Sequence, residues 1–333
     1  MILVYVEAQK GELSEASLGA LTAGRKLAQA LGEPLGAVLV GSGAEAETEL
    51  EGHLPTLGEF GVERALLVEH EKLKDYAPGA WARAIAQVIQ EHGPKWVLAA
   101  ATSRGKDLFG RVAARLDLGL ATGCTELEPA DEEGRVRITR AIYGGVLLAE
   151  VELAGEPRLL TLEPHAFPPK PAGSPSEVEV ERVQPSLEEQ DLRTIVKELI
   201  EPVREGVSLT DAEVVVAGGR GVGSAEGFKL LEELAELLGG AVGATRIAIN
   251  NGWRPPEEQI GQTGVRIAPK LYIACGISGA VQHMVGCKDA KVIVAINKDP
   301  QAPIFARADW GIVGDLHEVV PALIDELKKL KGS

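Results

Sequence analysis

The sequence predicts an α/β protein of two doubly wound domains, the first with an added antiparallel β meander and the second built on a parallel sheet. Its 333 residues suit two domains, since a domain takes roughly 150 residues. Short apolar runs alternate with amphipathic segments, which is typical of repeated βα units. Between the two series, residues 164–190 hold six of the 19 prolines. We therefore expect a first domain over residues 1–190, a linker helix over 191–201 and a second domain over 202–333.

The first domain should begin with strands that alternate with helices. The first helix is marked by Ser14, whose hydroxyl suits an N-cap, and by Gly32, which suits a helix end. Pro78 suits the first turn of a later helix. The strands are predicted over residues 2–6, 35–40, 62–68 and 96–101, and the helices over 14–31, 44–60, 78–90 and 106–116.

The pattern then changes to short runs separated by turn residues. Residues 135–139, 146–153 and 158–162 predict an antiparallel meander on the edge of the parallel sheet. The proline-rich residues 164–190 are interpreted as the linker region. A helix over residues 187–200, with its leucines, isoleucines and valine on one face, should lead into the second domain.

Composition argues against several kinds of partner. The formal net charge is −15, which argues against nucleic acid and anionic membranes, because both bind clusters of lysine and arginine. The three cysteines form no CxxC pair and predict neither a disulfide framework nor a zinc site. No apolar run reaches about 18 residues, and no basic leader precedes the opening strand, so we expect no membrane insertion and a cytoplasmic location.

Polar or glycine-rich segments predict a ligand groove in the second domain. They lie at residues 261–264, 276–279, 297–299 and 314–316, and we interpret each as the exit of a strand. Ligands of open α/β sheets bind outside the carboxyl ends of the strands, so a row of such exits favours an extended nucleotide. A helix beginning near Ser278 would offer free N–H groups to a phosphate.

Two glycine-rich turns are candidates for holding a phosphate. The Gly-Ser-Gly at residues 41–43 follows the second strand, and we interpret it as a simple tight turn. The Gly-Gly-Arg-Gly-Val-Gly at residues 218–223 follows an apolar run, and its glycines permit close approach of the backbone to a ligand. Arg220 adds a planar set of donors that fits a phosphate, against the alternative of a solvated arginine in a turn.

Taken together, these segments resemble the alpha subunit of the electron-transfer flavoproteins. The resemblance rests on residues 214–220, 261–264, 275–279, 295–300 and 303–305, which occur in the family's order. It implies an FAD-binding second domain and a heterodimer with a beta subunit, for which the first domain is the platform. It further implies a carrier, without substrate turnover of its own, that takes electrons from flavin dehydrogenases to a membrane quinone oxidoreductase in fatty acid beta-oxidation.

The resemblance also implies roles for single residues. Arg246 would lie over the flavin ring beside Thr245, Thr263 would lie near the flavin N5, and His283 would bond the C2 carbonyl region. The full set expected to bind FAD is Arg220, Thr245, Arg246, Ile260, Gly261, Gln262, Thr263, Ser278, Gly279, Ala280, Val281, Gln282, His283, Asn297, Asp315 and Leu316.

At the other end of the groove, Asn297 and Asp315 would hold the adenosine, although Asp315 also suits the N-cap of the final helix. The sequence departs from the family pattern at two places. Asn-Asn-Gly stands at residues 250–252, where the family often has an acidic residue before Ala-Gly. Ile260 stands where the family usually has valine.

No nucleophile–base pair, metal-ligand cluster or paired carboxylates stand out, so the sequence predicts no catalytic residue and no metal site. One alternative is an NAD- or FAD-linked enzyme, because the second domain also looks like the nucleotide domains of thiamine-diphosphate enzymes and deoxyhypusine synthase. Another is a ligand-sensing module that binds an adenine nucleotide in the first domain.

Overall fold

The computed structural model describes residues 1–9, 11–42, 51–128, 135–143, 147–198 and 207–331. The chain divides into two compact units, Met1–Ile200 and Glu201–Ser333. Both are α/β, as predicted. None of the described helices is long and apolar enough to cross a membrane.

Nine of the strands described in the first unit form one mixed sheet. They are β1 (Ile2–Tyr5), β4 (Leu35–Gly41), β5 (Arg64–Glu69), β6 (Trp96–Ala100), β7 (Leu120–Glu128), β8 (Arg137–Ile142), β9 (Leu147–Val151), β10 (Arg158–Leu162) and β11 (Glu179–Val183). Their order across the sheet is β11-β5-β4-β1-β6-β10-β7-β8-β9. A separate ribbon pairs β2 (Ala8–Gln9) with β3 (Glu12–Leu13).

The helices described in the first unit pack on both faces of this sheet. They are α1 (Glu15–Leu31), α2 (Leu54–Glu59), α3 (Pro78–His92) and α4 (Ser103–Leu116). The predicted caps of α1 are confirmed, because the Ser14 side chain accepts from the Ser17 N–H and Gly32 is left-handed with φ +63°. Residues 43–50 lie outside the described residues. They include the first part of the predicted helix 44–60 and the last residue of the glycine turn 41–43.

The predicted meander is correct for two of its strands and wrong for the third. β8 pairs antiparallel with β7 and with β9. β10, predicted as the third meander strand, instead lies parallel between β6 and β7. Its three leucines and Thr161 are almost fully removed from solvent, as fits a strand that is buried on both faces.

The predicted linker region contains structure that the prolines concealed. β11 lies inside residues 164–190 and adds a parallel edge strand to β5. The predicted helix over residues 187–200 is wrong over 193–198, where the described backbone is not helical. Leu187 and Leu192 pack against the first unit's core while Ile195 is 67% exposed, so no shared apolar face stabilises a helix.

The second unit has a parallel sheet in its described residues, with helices on both sides. The strands are β12 (Val214–Gly218), β13 (Ala241–Ala244), β14 (Leu271–Cys275), β15 (Ile293–Asn297) and β16 (Trp310–Val313), in the order β13-β12-β14-β15-β16. The helices are α5 (Phe228–Leu238), α6 (Arg246–Asn250), α7 (Val281–Cys287) and α8 (Leu316–Lys331).

The chain direction across this second sheet reverses at β12. The chain passes from β12 to β13 on one side and then to β14 on the other, which creates a topological switch point between β12 and β14. Ligands of open α/β sheets bind at such a point, outside the carboxyl ends of the strands. The sheet therefore fixes where a site should lie before any side chain is considered.

Two predicted elements near this edge are corrected by the structure. Residues 247–249, predicted as a strand, belong to α6, and the strand before them is β13. The segment 261–264 does not leave a strand of the sheet, because only isolated bridges, Ala244 to Gln259 and Ile260 to Val265, flank it. Its glycines gave the same signal as a strand exit although they close a local loop.

Candidate functional site

A cleft of about 810 Å³ lies along the carboxyl ends of the second unit's strands. It is bordered by the tips of β12, β13, β14, β15 and β16, and so includes the switch point. Ten of the sixteen residues predicted from the sequence line it: Arg220, Thr245, Arg246, Ser278, Ala280, Gln282, His283, Asn297, Asp315 and Leu316.

The floor of the cleft at the switch point is made of backbone. The N–H of Gly219 donates to the carbonyl of Cys275, and the N–H of Gly221 donates to that of Gly276 at 3.0 Å. A Cβ added to Gly219 would lie 2.5 Å from the Gly276 oxygen, and one added to Gly221 would lie 2.7 Å from the Gly276 Cα. These two strand tips can therefore cross only because both carry glycine.

The β13 tip contributes an unsatisfied hydroxyl and a cation. Thr245 is buried, and its Oγ1 makes no hydrogen bond with any described residue. Arg246 follows at the start of α6, is exposed, and forms no ion pair within the described part of the chain. A buried hydroxyl without a partner is costly, so a polar ligand atom beside Thr245 would remove a penalty that the protein alone leaves in place.

At the other end of the cleft, polar side chains are already engaged by the backbone. Asn297 donates from Nδ2 to the Ile277 carbonyl at 2.8 Å and accepts at Oδ1 from the Asp299 N–H at 3.0 Å. Asp315 accepts at Oδ1 from the N–H of His317 at 2.9 Å, at the start of α8. The capping role that the sequence suggested for Asp315 is thus present.

His283 lines the cleft, but both of its ring nitrogens are bonded inside the protein. Nδ1 lies 3.0 Å from the Ile260 carbonyl oxygen, and Nε2 lies 2.7 Å from the Tyr272 hydroxyl. A carbonyl can only accept, so Nδ1 carries the proton and Nε2 accepts from Tyr272. Burial lowers the pKa of His283 to about 4, so the ring is neutral at pH 7.

The role that the resemblance implied for His283 stays a prediction, and the structure shows which partners a flavin would compete with. With Nδ1 bonded to the Ile260 carbonyl and Nε2 to the Tyr272 hydroxyl, a flavin carbonyl would have to replace one of these two partners to bond the ring. Its sequence position, one turn into a helix at the groove, gave no sign of these internal partners. The cleft's positive charge comes instead from Arg220, Arg246 and Lys298.

Six predicted site residues do not line the cleft: Ile260, Gly261, Gln262, Thr263, Gly279 and Val281. The first four belong to the loop around residues 261–264, which turns back on itself, as the N–H of Val265 donates to the Gln259 carbonyl at 2.7 Å. Thr263 accepts at Oγ1 from the Gln259 side chain at 2.9 Å. Gly279 packs against Ile304, which is buried behind the tip of β14.

The cleft also contains residues absent from the predicted set. Five of them lie within the segments quoted as strand exits, and applying the strand-exit rule to whole segments would have found them: Gly276, Ile277, Lys298, Asp299 and Gly314. Ile247 was hidden by the wrong assignment of its segment to a strand, because a residue in the first turn of α6 faces the sheet edge. Ala302 and Pro303 carried no polar or glycine signal.

Comparison with known families gives two matches that together cover most of the chain. Residues 2–188 match the family described as electron transfer flavoprotein domain. Residues 208–288 match the family described as electron transfer flavoprotein FAD-binding domain. The second match lies in the unit that contains the cleft.

Curated relatives are similar over nearly their whole length. The electron transfer flavoprotein subunit alpha of Bacillus subtilis is 41% identical, covering 99% of this chain and 98% of the relative. The subunit alpha of Thermoanaerobacterium thermosaccharolyticum is 39% identical, covering 99% and 98%. Protein FixB of Clostridium saccharobutylicum is 41% identical, covering 99% and 96%.

A solved structure of a thiamine diphosphate-dependent 4-hydroxybenzoylformate decarboxylase from Rhodococcus jostii RHA1 is a much weaker match. It is 11% identical, with a TM-score of 0.22, covering 93% of this chain and 62% of that one. A likeness at that level carries no argument about fold or function. The alternative of a thiamine-enzyme-like nucleotide domain gains no support from it.

Proposed function

The chain belongs to the electron transfer flavoproteins as an alpha subunit whose second unit is the FAD-binding domain, and on that premise we propose that FAD lies in the cleft at the β12–β14 switch point. Family membership places the chain among electron carriers and not among enzymes. The observation that carries the proposal is the glycine crossing at the switch point, which leaves bare backbone facing an elongated cleft.

The residues present fit FAD. A cleft of about 810 Å³ lies in the upper part of the range for cofactor sites, which is roughly 300–1,000 Å³, and its length along five strand tips suits a dinucleotide. Gly219 and Gly221 allow a pyrophosphate to approach the backbone, and Arg220 between them offers a guanidinium to it. The unpartnered Oγ1 of Thr245 provides a polar atom at the β13 end.

We assign the ends of the cofactor from the distribution of side chains. Arg246 and Thr245, at the tip of β13, would contact the flavin ring, which supplies the electron-carrying chemistry when bound. Asn297, Asp315 and Leu316, at the tips of β15 and β16, would contact the adenosine. An acidic side chain at a strand tip suits the hydroxyls of a ribose, and Asp315 keeps its second carboxylate oxygen for that purpose.

The chain's own contribution is to bind, orient and tune the cofactor. Arg246 would place a fixed positive charge beside the ring and so favour negative charge there. His283 would contribute a neutral surface, because its nitrogens are already paired and its pKa lies well below 7. The 261–264 loop carries Thr263, and we propose that it approaches the ring from the side of α7.

We further propose the partners that the family relationship supports. The name alpha subunit supports a heterodimer with a beta subunit, for which the first unit would be the platform. Flavin dehydrogenases would donate electrons, and a membrane quinone oxidoreductase would accept them, in fatty acid beta-oxidation in the cytoplasm. The net charge of −15 agrees with the absence of nucleic acid from this set of partners.

A titration with two flavins tests the cofactor assignment. FAD and FMN share the ring, but FMN lacks the adenosine that the tips of β15 and β16 would hold. We expect FAD to bind at least tenfold more tightly than FMN, measured by quenching of flavin fluorescence. Equal affinity for the two would remove the β15 and β16 tips from the site.

The same titration with a co-expressed beta subunit tests the heterodimer. A second subunit that covers part of the flavin should lower the FAD dissociation constant, and analytical ultracentrifugation should give a one-to-one complex. An alpha chain that stays monomeric and binds FAD equally well in the presence of the beta subunit would contradict the heterodimer proposal.

A further inference from the structure

We propose that Arg254 is a positioning residue: it clamps residues 245–260, here called the closed segment, against α5 and so fixes where Arg246 stands in the cleft. The consequence for the flavin rests on the proposed function above, which assigns Arg246 to the flavin ring. Arg254 is not among the residues that line the cleft, so its effect on a bound flavin is indirect. The clamp itself does not depend on any ligand.

The closed segment leaves the tip of β13 and returns to it. Thr245 follows the last residue of β13 directly, and at the other end the N–H of Ile260 donates to the Ala244 carbonyl at 2.9 Å. Near its start, the segment contributes Thr245, Arg246 and Ile247 to the cleft. Because both ends are tied to one strand tip, the position of these three residues depends on how the body of the segment is held.

The helix α6 within the closed segment has little apolar support of its own. It has five residues, and a helix of that length is not stable without tertiary contacts. Ala248 is buried, whereas Arg246 and Ile247 are exposed. The helix ends in a turn at Gly252, with φ +71°, where the N–H of Trp253 donates to the Ala248 carbonyl at 3.0 Å. The chain after this turn must therefore supply further support.

Arg254, the residue after Trp253, joins the closed segment to α5. It donates from Nε to Oε2 of Glu258 at 2.5 Å and from Nη2 to Oε1 at 2.9 Å, which forms a two-pronged pair within the segment. Nη1 donates to Glu232 on α5. The guanidinium carbon also lies 5.6 Å from the ring centroid of Phe228, the first residue of α5. The Arg254 side chain is 17% exposed, so these contacts are better shielded from water than an ordinary surface ion pair.

Phe228 gives this clamp a rigid base beside the cleft. Its ring is 0% exposed and packs on Gly218, where an added Cβ would lie 2.5 Å from the ring carbon Cε1. Gly218 is the last residue of β12, and its carbonyl accepts from the N–H of Thr245 at 3.0 Å. Through Phe228, the contacts of Arg254 therefore fix the closed segment relative to the β12 tip, which borders the cleft.

Reduction potentials of bound FAD in a double-mutant cycle test whether Arg254 acts through Arg246. Arg254→Gln should lower the potential in the same direction as Arg246→Gln but by less, because the charge of Arg246 is displaced and not removed. In the Arg246→Gln background, the second substitution should change the potential little, since both act through one charge. Equal shifts from Arg254→Gln in the two backgrounds would overturn the proposal, because they would show that Arg254 acts independently of Arg246.

The sign of the shift in Glu258→Ala separates positioning from a direct effect of charge. Removing a negative charge would by itself raise the potential, whereas loosening Arg254 and with it Arg246 should lower it. A fall is therefore expected, and a rise would overturn the proposal. Lys328→Gln is the matched control, because it breaks an exposed ion pair with Glu233 on the same α5 and removes one positive charge. A fall of similar size in this control would also overturn the proposal.

Hydrogen exchange in the full-length protein measures the clamp without a ligand. The amides of Trp253 and Ile260 should exchange about three- to tenfold faster in Arg254→Gln, and the FAD dissociation constant should rise by a similar factor. Unchanged exchange would overturn the clamp, and faster exchange with unchanged potential and affinity would overturn its role for the flavin. If the unmodified protein bound no FAD at all, the proposed function would fail while the exchange measurement still decided the clamp.

Discussion

At the scale of single residues, the charge that a ligand meets in the cleft comes from arginine and lysine and not from histidine. His283 is neutral at pH 7, because its ring is buried and its two nitrogens are paired. Arg220 and Arg246 are exposed and lie at neighbouring strand tips, β12 and β13. The two arginines differ in neighbours, since Arg220 stands between glycines that favour a phosphate and Arg246 stands beside Thr245.

The two arginines should therefore act on different properties of the bound flavin. Arg246→Gln removes positive charge beside the ring and should lower the reduction potential by about 40–90 mV, corresponding to about 1–2 kcal/mol for one electron. Arg220→Gln should weaken FAD binding about tenfold and leave the potential nearly unchanged. Spectroelectrochemical titration with bound FAD measures the first effect and fluorescence quenching the second. Equal shifts of potential in both variants would contradict the assignment of ring and phosphate.

The pKa of His283 also predicts how stability depends on pH. Burial lowers this pKa to about 4, whereas a histidine in an unfolded chain titrates near 6.5. Between these values the unfolded chain binds a proton that the folded protein does not. The contribution of His283 to the free energy of unfolding should therefore be complete above about pH 6.5. It should fall as the pH drops, with a loss of up to about 3 kcal/mol at pH 4.

Urea unfolding between pH 4.5 and 7.5 measures this effect by difference. His283→Asn removes the titrating ring, so its free energy of unfolding should depend less on pH than that of the unmodified protein. His317→Asn, at an exposed histidine at the start of α8, is the control and should preserve the slope. Parallel curves for the unmodified protein and His283→Asn would show that His283 is not buried and neutral.

At the scale of elements, the site depends on how closely backbones pass one another. The tips of β12 and β14 cross at Gly219, Gly221 and Gly276, and α7 approaches the 260–267 loop at Gly286 and Gly261. Side chains cannot relieve such contacts by moving, because the opposing atoms belong to the main chain. The cleft is therefore shaped by strand order and by glycine placement before its polar side chains contribute.

Gly286→Ala should consequently be far more damaging than an ordinary substitution in a helix. Its Cβ would lie 2.3 Å from the Gly261 nitrogen, so α7 or the loop must move. We expect a loss of about 2–4 kcal/mol in the free energy of unfolding of the second unit, as for overpacked cores, together with weaker FAD binding. The matched control is Gly110→Ala in α4, where nothing lies within 4 Å of the added Cβ.

Gly110→Ala should stabilise the protein by up to about 1 kcal/mol, because alanine is the better helix former. Urea unfolding followed by hydrogen exchange in each unit compares the two variants. A Gly286→Ala protein as stable as the unmodified one would mean that α7 and the loop are not as close as described.

The elements that the sequence predicts well are those with local signals. α1 begins at Ser14 and ends at Gly32 as expected, because an N-cap and a left-handed glycine are short-range features. The parallel strands β14 and β16 were placed correctly from their apolar runs and the polar tips after them. Of the ten predicted residues that line the cleft, four lie in the segments read as strand exits, and the other six came from the glycine-rich turn or from the family resemblance.

The errors arise where structure depends on distant contacts. β10 looks like a meander strand by its neighbours in sequence, and only its pairing with β6 and β7 makes it parallel. The predicted helix over residues 187–200 has a periodic pattern, but Leu192 packs on the first unit while Ile195 remains exposed. The internal partners of His283 could not be predicted, because neither the Tyr272 hydroxyl nor the Ile260 carbonyl is near it in sequence.

At the scale of the whole molecule, the cleft belongs to one unit. Its lining residues all fall between Gly219 and Leu316, inside the unit Glu201–Ser333. The first unit, Met1–Ile200, has its own core on both faces of its sheet. A ligand that binds one unit stabilises that unit by mass action, and stabilises the other only to the extent that their unfolding is linked.

FAD should therefore stabilise the two units unequally. At a free FAD concentration of 100 times its dissociation constant, the binding unit gains about 2.7 kcal/mol. Hydrogen exchange across a urea series, read by mass spectrometry of peptides from each unit, should show the second unit's midpoint rising while the first unit's midpoint stays. Arg220→Gln at the same FAD concentration should show a smaller rise, because it binds more weakly. Equal rises in both units would show that the two units unfold together and would contradict their independent unfolding.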